Sequence, residues 1–202
     1  MGKSPVRVIG FSVMTRQGQA HQEGKAMLRI ALVYGIISGT VTIVTMMLGI
    51  LTNDSGSFFS GEVFGYLVML IALSMIFIGI KRYRDTELGG VIKFLPALGL
   101  GLSIAAIAGV IYVAVWEIYS YNTNYAFIRE YTAGVIESAK AKDIGQSELQ
   151  RVVAEMEGLS DSYAKPYFRL PMTFLEIFPV GLIIAIISAA LLQNPKILPA
   201  RQ

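Results

Sequence analysis

The sequence contains no cysteine. That excludes disulfides, thiolate metal ligands, thiol nucleophiles and lipids attached through sulfur. Histidine occurs once, as His21, and has no partners for a metal site or a Ser-His-Asp triad. Charge is scarce: Asp, Glu, Lys and Arg make up 15% of the chain, where soluble domains carry about 25%. The first 26 residues lack the apolar core of a secretory signal, because Val6-Arg7-Val8-Ile9-Gly10-Phe11 is short and interrupted by charge. Gly99-Leu100-Gly101 lacks the third glycine and the preceding strand of a dinucleotide site. Asn53-Asp54-Ser55 fits a glycosylation pattern that chance also explains. The formal charge of +3 is weak evidence for nucleic acid, since basic residues beside apolar runs are expected from membrane topology. No catalytic set, no metal site, no cofactor and no nucleic-acid partner are therefore expected.

What the chain has is apolar length. Of its 202 residues, 54% are hydrophobic, and the mean hydropathy is +0.58. Residues 30–51 and 63–80 carry no charge, 94–118 carry only Glu117, and 171–192 carry only Glu176. Each run approaches the ~20 residues that cross ~30 Å of hydrocarbon as a helix. The period-2 alternation of a membrane β-barrel is absent. The expected fold is all-α, a four-helix transmembrane bundle spanning residues 27–193. A flexible cytoplasmic tail, 1–26, precedes it and a short cytoplasmic tail, 194–202, follows. The regular pattern starts at Met27, which is an alternative to Met1 as the first residue of the natural protein.

Basic residues set the orientation. Lys3, Arg7, Arg16, Lys25 and Arg29 precede the first span, Lys81, Arg82, Arg84 and Lys93 lie between the second and third, and Lys196 and Arg201 follow the fourth. Residues 52–62 have none, and most of those in 121–169 are countered by nearby acids. Both termini and residues 81–93 are thus expected in the cytoplasm and residues 121–170 outside. Trp116, Tyr119, Tyr121 and Tyr125 mark the outer interface.

The outer loop has its own order. Thr123 or Asn124 caps an expected helix to about Lys142, with Ile128, Tyr131, Val135 and Ala139 on its apolar face. Lys142-Asp143-Ile144-Gly145 is a break. Ser147 and Gln150 form a capping-box pattern for a second helix, with Leu149, Val152, Val153 and Met156 inward and an end near Gly158. Together they make an extracytoplasmic amphipathic hairpin between the third and fourth spans.

Glu117 and Glu176 are the sharpest candidates for a site, because an ionisable side chain costs roughly 2.5–3.5 kcal/mol at the bilayer centre. The third span runs outward and the fourth inward, so the two acids are expected at similar depth, in one polar cluster with Arg169 as the nearest base. Such a pair either shares a proton or binds a cation, or each acid serves as a structural partner of Arg129, Lys165 or Arg169. Lys81, Arg82 and Arg84 are candidates for anionic-lipid headgroups, or for a simple interfacial anchor, and Asp85 and Glu87 either pair with them or cap a helix starting near Gly89. Rows of small residues, Ala97-Gly101-Ala105-Gly109, Gly35-Gly39 and Gly181-Ala185-Ala189, allow close helix contact within one bundle or in a dimer. Pro179 removes a backbone bond near Leu175 and is expected to kink the fourth span.

Three stretches carry a resemblance: Gly79-Ile80-Lys81-Arg82-Tyr83-Arg84-Asp85-Thr86-Glu87-Leu88-Gly89-Gly90, Tyr112 to Tyr119 with its Trp116-Glu117-Ile118-Tyr119 core, and Met172 to Leu182. Over residues 28–192 the chain resembles the bacterial domain-of-unknown-function family 4199. The resemblance implies a four-span protein of the bacterial inner membrane and no activity. Two functional classes remain: a non-catalytic accessory or partner-binding subunit, in contact with the bilayer and a homo-oligomer or membrane partner, or a small transporter or channel component using Glu117 and Glu176.

Overall fold

The computed structural model describes residues 6–52, 62–142 and 144–200. Residues 1–5, the Asn53-Asp54-Ser55 pattern, Asp143 and Arg201 lie outside the described residues. The described residues form seven helices and no strand: α1 (Val6–Thr52), α2 (Glu62–Leu73), α3 (Met75–Glu87), α4 (Phe94–Asn122), α5 (Ala126–Ala141), α6 (Gln146–Tyr163) and α7 (Pro166–Leu192). Four stretches, His21–Leu48, Gly65–Thr86, Phe94–Asn122 and Pro166–Leu192, are apolar and 22 to 29 residues long. At 1.5 Å per residue they reach about 33–44 Å, enough to cross a bilayer. The chain is an all-α, multi-pass membrane protein.

α1 starts at Val6, so residues 6–26, set apart by composition as a tail, are helical. No proline occurs between Pro5 and Pro96 to stop a helix, and isolated glycines weaken one without ending it. The second span consists of α2 and α3. At their junction the Ser74 N–H still bonds Leu70 O at 3.0 Å, and Ser74 Oγ donates to Ile71 O at 2.6 Å, so the rod is nearly unbroken. α3 continues past the expected end at Ile80 to Glu87. Gly89 and Gly90 then take φ of +64° and +91°, which only glycine adopts without strain, and the chain leaves the helix. The next helix begins at Phe94, not near Gly89, so Asp85 and Glu87 do not cap it. Asp85 instead pairs with Lys81 and Arg84.

The chain forms two compact units, residues 1–108 with 180–202, and residues 109–179. α4 and α7 contribute to both. In the first unit the small-residue rows meet. A Cβ on Gly101 would lie 2.8 Å from the Cβ of Ala185, and one on Gly181 would lie 2.8 Å from the Cβ of Ala105. Residue 101 against 185 and 105 against 181 is an antiparallel register, and the row serves contact within the bundle. Gly35 sits against Ile107 in the same way, at 2.7 Å, and Ser38 Oγ donates to Ala72 O at 2.7 Å to tie α1 to α2. Among lipid tails no hydrophobic drive distinguishes helix from lipid, so this close packing and such hydrogen bonds hold the spans together.

In the second unit α5 packs on α6. Ile128 and Thr132 are buried and Val135 and Ala139 half-buried. Tyr131, expected on the inner face, is exposed and stacks on Phe127 with centroids 6.2 Å apart. Thr132 occupies the inner position because its Oγ1 returns to Ile128 O at 2.9 Å, which leaves no unsatisfied polar atom. Neither expected cap forms. Thr123 Oγ1 bonds back to Tyr119 O at 3.0 Å and so closes α4, while α6 starts one residue before Ser147, with Gly145 as its cap. Pro166 opens α7, where a missing N–H costs nothing, and both Pro171 and Pro179 lie inside that helix.

Candidate functional site

Glu117, Arg169 and Glu176 all lie in the second unit. Tyr112, Trp116 and Ser120 recur every four residues on α4, lie on one helix face and are buried. Each brings a polar atom into an apolar span, where an unpaired donor or acceptor is costly. Trp116 Nε1 donates to Tyr163 Oη at 2.8 Å, and Tyr112 Oη donates to Glu176 Oε2 at 3.3 Å. Ser120 Oγ is buried with no hydrogen-bond partner among the described residues. The Trp116 ring meets Phe127 edge-on, centroids 5.0 Å apart, and fixes the start of α5 against the end of α4.

Glu117 stands one residue further round α4 and faces Arg169, in the first turn of α7. The two side chains form a fork. Arg169 Nε donates to Glu117 Oε2 at 2.9 Å, and Nη2 donates to Glu117 Oε1. Nη2 also reaches Tyr125 Oη at 3.2 Å, while Nη1 donates to the carbonyls of Tyr163 at 2.8 Å and Ala164 at 3.2 Å. A guanidinium has five N–H donors in a plane, and all five are used. The Tyr125 hydroxyl donates to Glu117 Oε1 at 3.1 Å, and its ring lies 4.5 Å from the Arg169 guanidinium carbon. Burial and the Glu117 carboxylate hold that hydroxyl above its ordinary titration range, so it stays a donor at neutral pH.

The turn that brings Tyr125 here is strained. Asn124 and Tyr125 both have positive φ, 51° and 55°. Asparagine tolerates this region, but a tyrosine there costs of order 1 kcal/mol. The strain is held by the Tyr125 N–H, which bonds Ser120 O at 2.7 Å, by Arg129 Nη1 on Asn124 O, and by the ring's place over Arg169.

Of the expected cluster, Glu117 and Arg169 are brought together and Glu176 is not. Glu176 lies on an exposed face of α7 with Tyr112 as its hydrogen-bond partner. Two turns of α7 separate it from Arg169, and each acid found its own aromatic hydroxyl. Tyr112, Tyr125 and Tyr163 are the partners that sequence reasoning missed. The available signal was the spacing: a tyrosine, a tryptophan and a serine on one ridge of an apolar helix need acceptors or donors opposite them.

The basic run at the end of α3 divides as well. Arg84 is fully buried, in register with Ile76 and Ile80, eight and four residues before it. It donates to the carbonyls of Leu192 at 3.4 Å, Ile197 at 3.0 Å and Leu198, and pairs with Asp85 at 2.7 Å. It thereby ties α3 to the last residue of α7 and to the segment that follows it. Lys81 is paired with Asp85. Arg82 is exposed, and none of its side-chain donors is engaged among the described residues. No group of three or more metal-ligating side chains occurs among the described residues.

Residues 33–194 match a family described as a protein of unknown function, DUF4199. No curated protein and no solved structure matches the chain.

Proposed function

The chain belongs to the DUF4199 family, and from that premise we propose that it is a non-catalytic accessory subunit of the bacterial inner membrane that binds a membrane partner. The engagement of every Arg169 donor within the chain carries this reading. Glu117 and Arg169 neutralise each other and fasten the chain to itself, leaving Arg169 no donor for a substrate anion. Both termini and the end of α3 face the cytoplasm, and α5 and α6 lie outside, as the basic residues direct. The partner meets the exposed face of α7 that carries Met172, Leu175 and Glu176. A carboxyl in lipid is expensive, and a neighbouring helix with a polar group relieves that cost. A photoreactive residue at Leu175, in native membranes, should give one stoichiometric adduct that Glu176→Leu abolishes. Scattered adducts, or an adduct indifferent to Glu176, would remove the reading.

A second reading, transport, is favoured by one observation: Glu176 has a single hydrogen bond and an open side. Proton flux in proteoliposomes that vanishes with Glu176→Gln would support it, and absence of flux with folded protein would end it.

A further inference from the structure

A groove of about 1120 Å³ opens between α1 and α3, wholly within the first unit. Lys25, Arg29 and Val33 line it from α1, at positions i, i+4 and i+8, which share one helix face. Over the about 12 Å from Lys25 to Val33 the wall changes from cationic to apolar. Ile30 and Tyr34 continue the apolar part, and Arg82 faces it from α3. A gradient of this kind matches a lipid, with phosphate at one end and acyl chain at the other.

The cations are available. Lys25, Arg29 and Arg82 form no ion pair among the described residues. Their neighbours in sequence are not: Lys81 is held by Asp85, and Arg84 by Asp85 and the carbonyls of Leu192, Ile197 and Leu198. The headgroup capacity of this end of the protein thus resides in a set drawn from two helices rather than in the Lys81-Arg84 run. Glu23 and Glu87 also line the groove. Three cations against two carboxylates leave one net positive charge, which matches the single negative charge of a phosphodiester. We propose that this groove binds one anionic phospholipid, with its phosphodiester on Arg29 and Arg82 and an acyl chain along Ile30, Val33 and Tyr34. The inference rests on membrane insertion alone and is independent of the accessory role and of which face is cytoplasmic.

Native mass spectrometry of the full detergent-solubilised chain tests it, with phosphatidylglycerol, phosphatidylcholine and inorganic phosphate as probes. Wild type should bind one phosphatidylglycerol in preference to phosphatidylcholine. Each cation removed should weaken that binding about fivefold, so Arg29→Gln with Arg82→Gln should lose more than tenfold while Lys81→Gln changes nothing. Val33→Trp, which fills the apolar wall without altering charge, should weaken both lipids; it keeps the test open if the double variant does not fold. Equal binding of the two lipids, undiminished phosphatidylglycerol binding by the folded double variant or by Val33→Trp, or displacement of the lipid by millimolar phosphate would each overturn the proposal, the last by identifying a soluble anion as the ligand.

Discussion

Replacing Arg169 with methionine keeps an unbranched apolar stem and removes the charge and donors of the guanidinium. Glu117 would keep the Tyr125 hydroxyl and lose the fork, and the carbonyls of Tyr163 and Ala164 would lose their donors. Breaking a buried ion pair from one side costs about 3–5 kcal/mol. The Arg169 side chain is 4% exposed but that of Glu117 is 30% exposed, so part of its charge is reached by water and the lower end, about 3 kcal/mol, is the expected loss. Glu117→Leu alone should lose somewhat less, because arginine keeps its two carbonyls. The double variant Glu117→Leu, Arg169→Met should be less destabilised than the sum of the singles by more than about 1 kcal/mol, the signature of groups that act as a unit. The assay is equilibrium unfolding in mixed micelles, followed by the fluorescence of Trp116. It is the chain's one tryptophan, and it hydrogen-bonds Tyr163, whose carbonyl Arg169 holds. Additive losses would refute the argument, since they would mean that the fork carries no coupling.

Four further outcomes follow from the same packing. Reporter fusions at Tyr83 and Gln202 should give cytoplasmic signals and one at Gly145 an external one; an internal signal at Gly145 contradicts the orientation. Gly101→Leu should destabilise the bundle by about 1–3 kcal/mol, since its side chain has no room beside Ala185; an unchanged unfolding midpoint would show that the rows do not touch. Arg84→Gln should release the carbonyls of residues 192–198 and speed amide exchange or proteolysis there, with little change in α5 and α6. Val153→Asp, at a half-buried position, should loosen the pairing of α5 with α6 more than Glu155→Lys, at an exposed one, as read by protease sensitivity of residues 141–146.

The four apolar runs were legible because lipid leaves a long uncharged segment few choices but a helix. Both limits of α5 and the start of α6 were close for a related reason: apolar residues every three or four positions, broken at Gly145, describe two amphipathic rods. α6 does not end near Gly158 but runs on to Tyr163, since an isolated glycine weakens a helix without ending it. What periodicity did not settle is which residue of a near tie turns inward. Tyr131 and Thr132 are consecutive, about 100° apart around the helix, and Thr132 can take the buried side because its hydroxyl is satisfied by Ile128 O. The pairing of Glu117 with Arg169 rested on proximity to the interface, which sequence shows. Glu176 went elsewhere because a hydroxyl, Tyr112, lay opposite it across two helices, and no local pattern announces a partner 64 residues away. Arg84 looked like a surface cation by composition. Its register with Ile76 and Ile80 placed it on the inner face, and the carbonyls of Leu192, Ile197 and Leu198 made burial tolerable.

The fork between Glu117 and Arg169 also orders events during synthesis. Glu117 leaves the ribosome 52 residues before its partner exists. At about 5–20 residues per second that is an interval of roughly 3–10 s, in which the carboxylate on the third span has only its own neighbourhood for company. The third helix therefore enters the bilayer with its final depth and rotation unsecured, and the arrival of the fourth span completes them. A nascent chain arrested before residue 169 holds an acid at the end of α4 without the base that the finished protein sets against it.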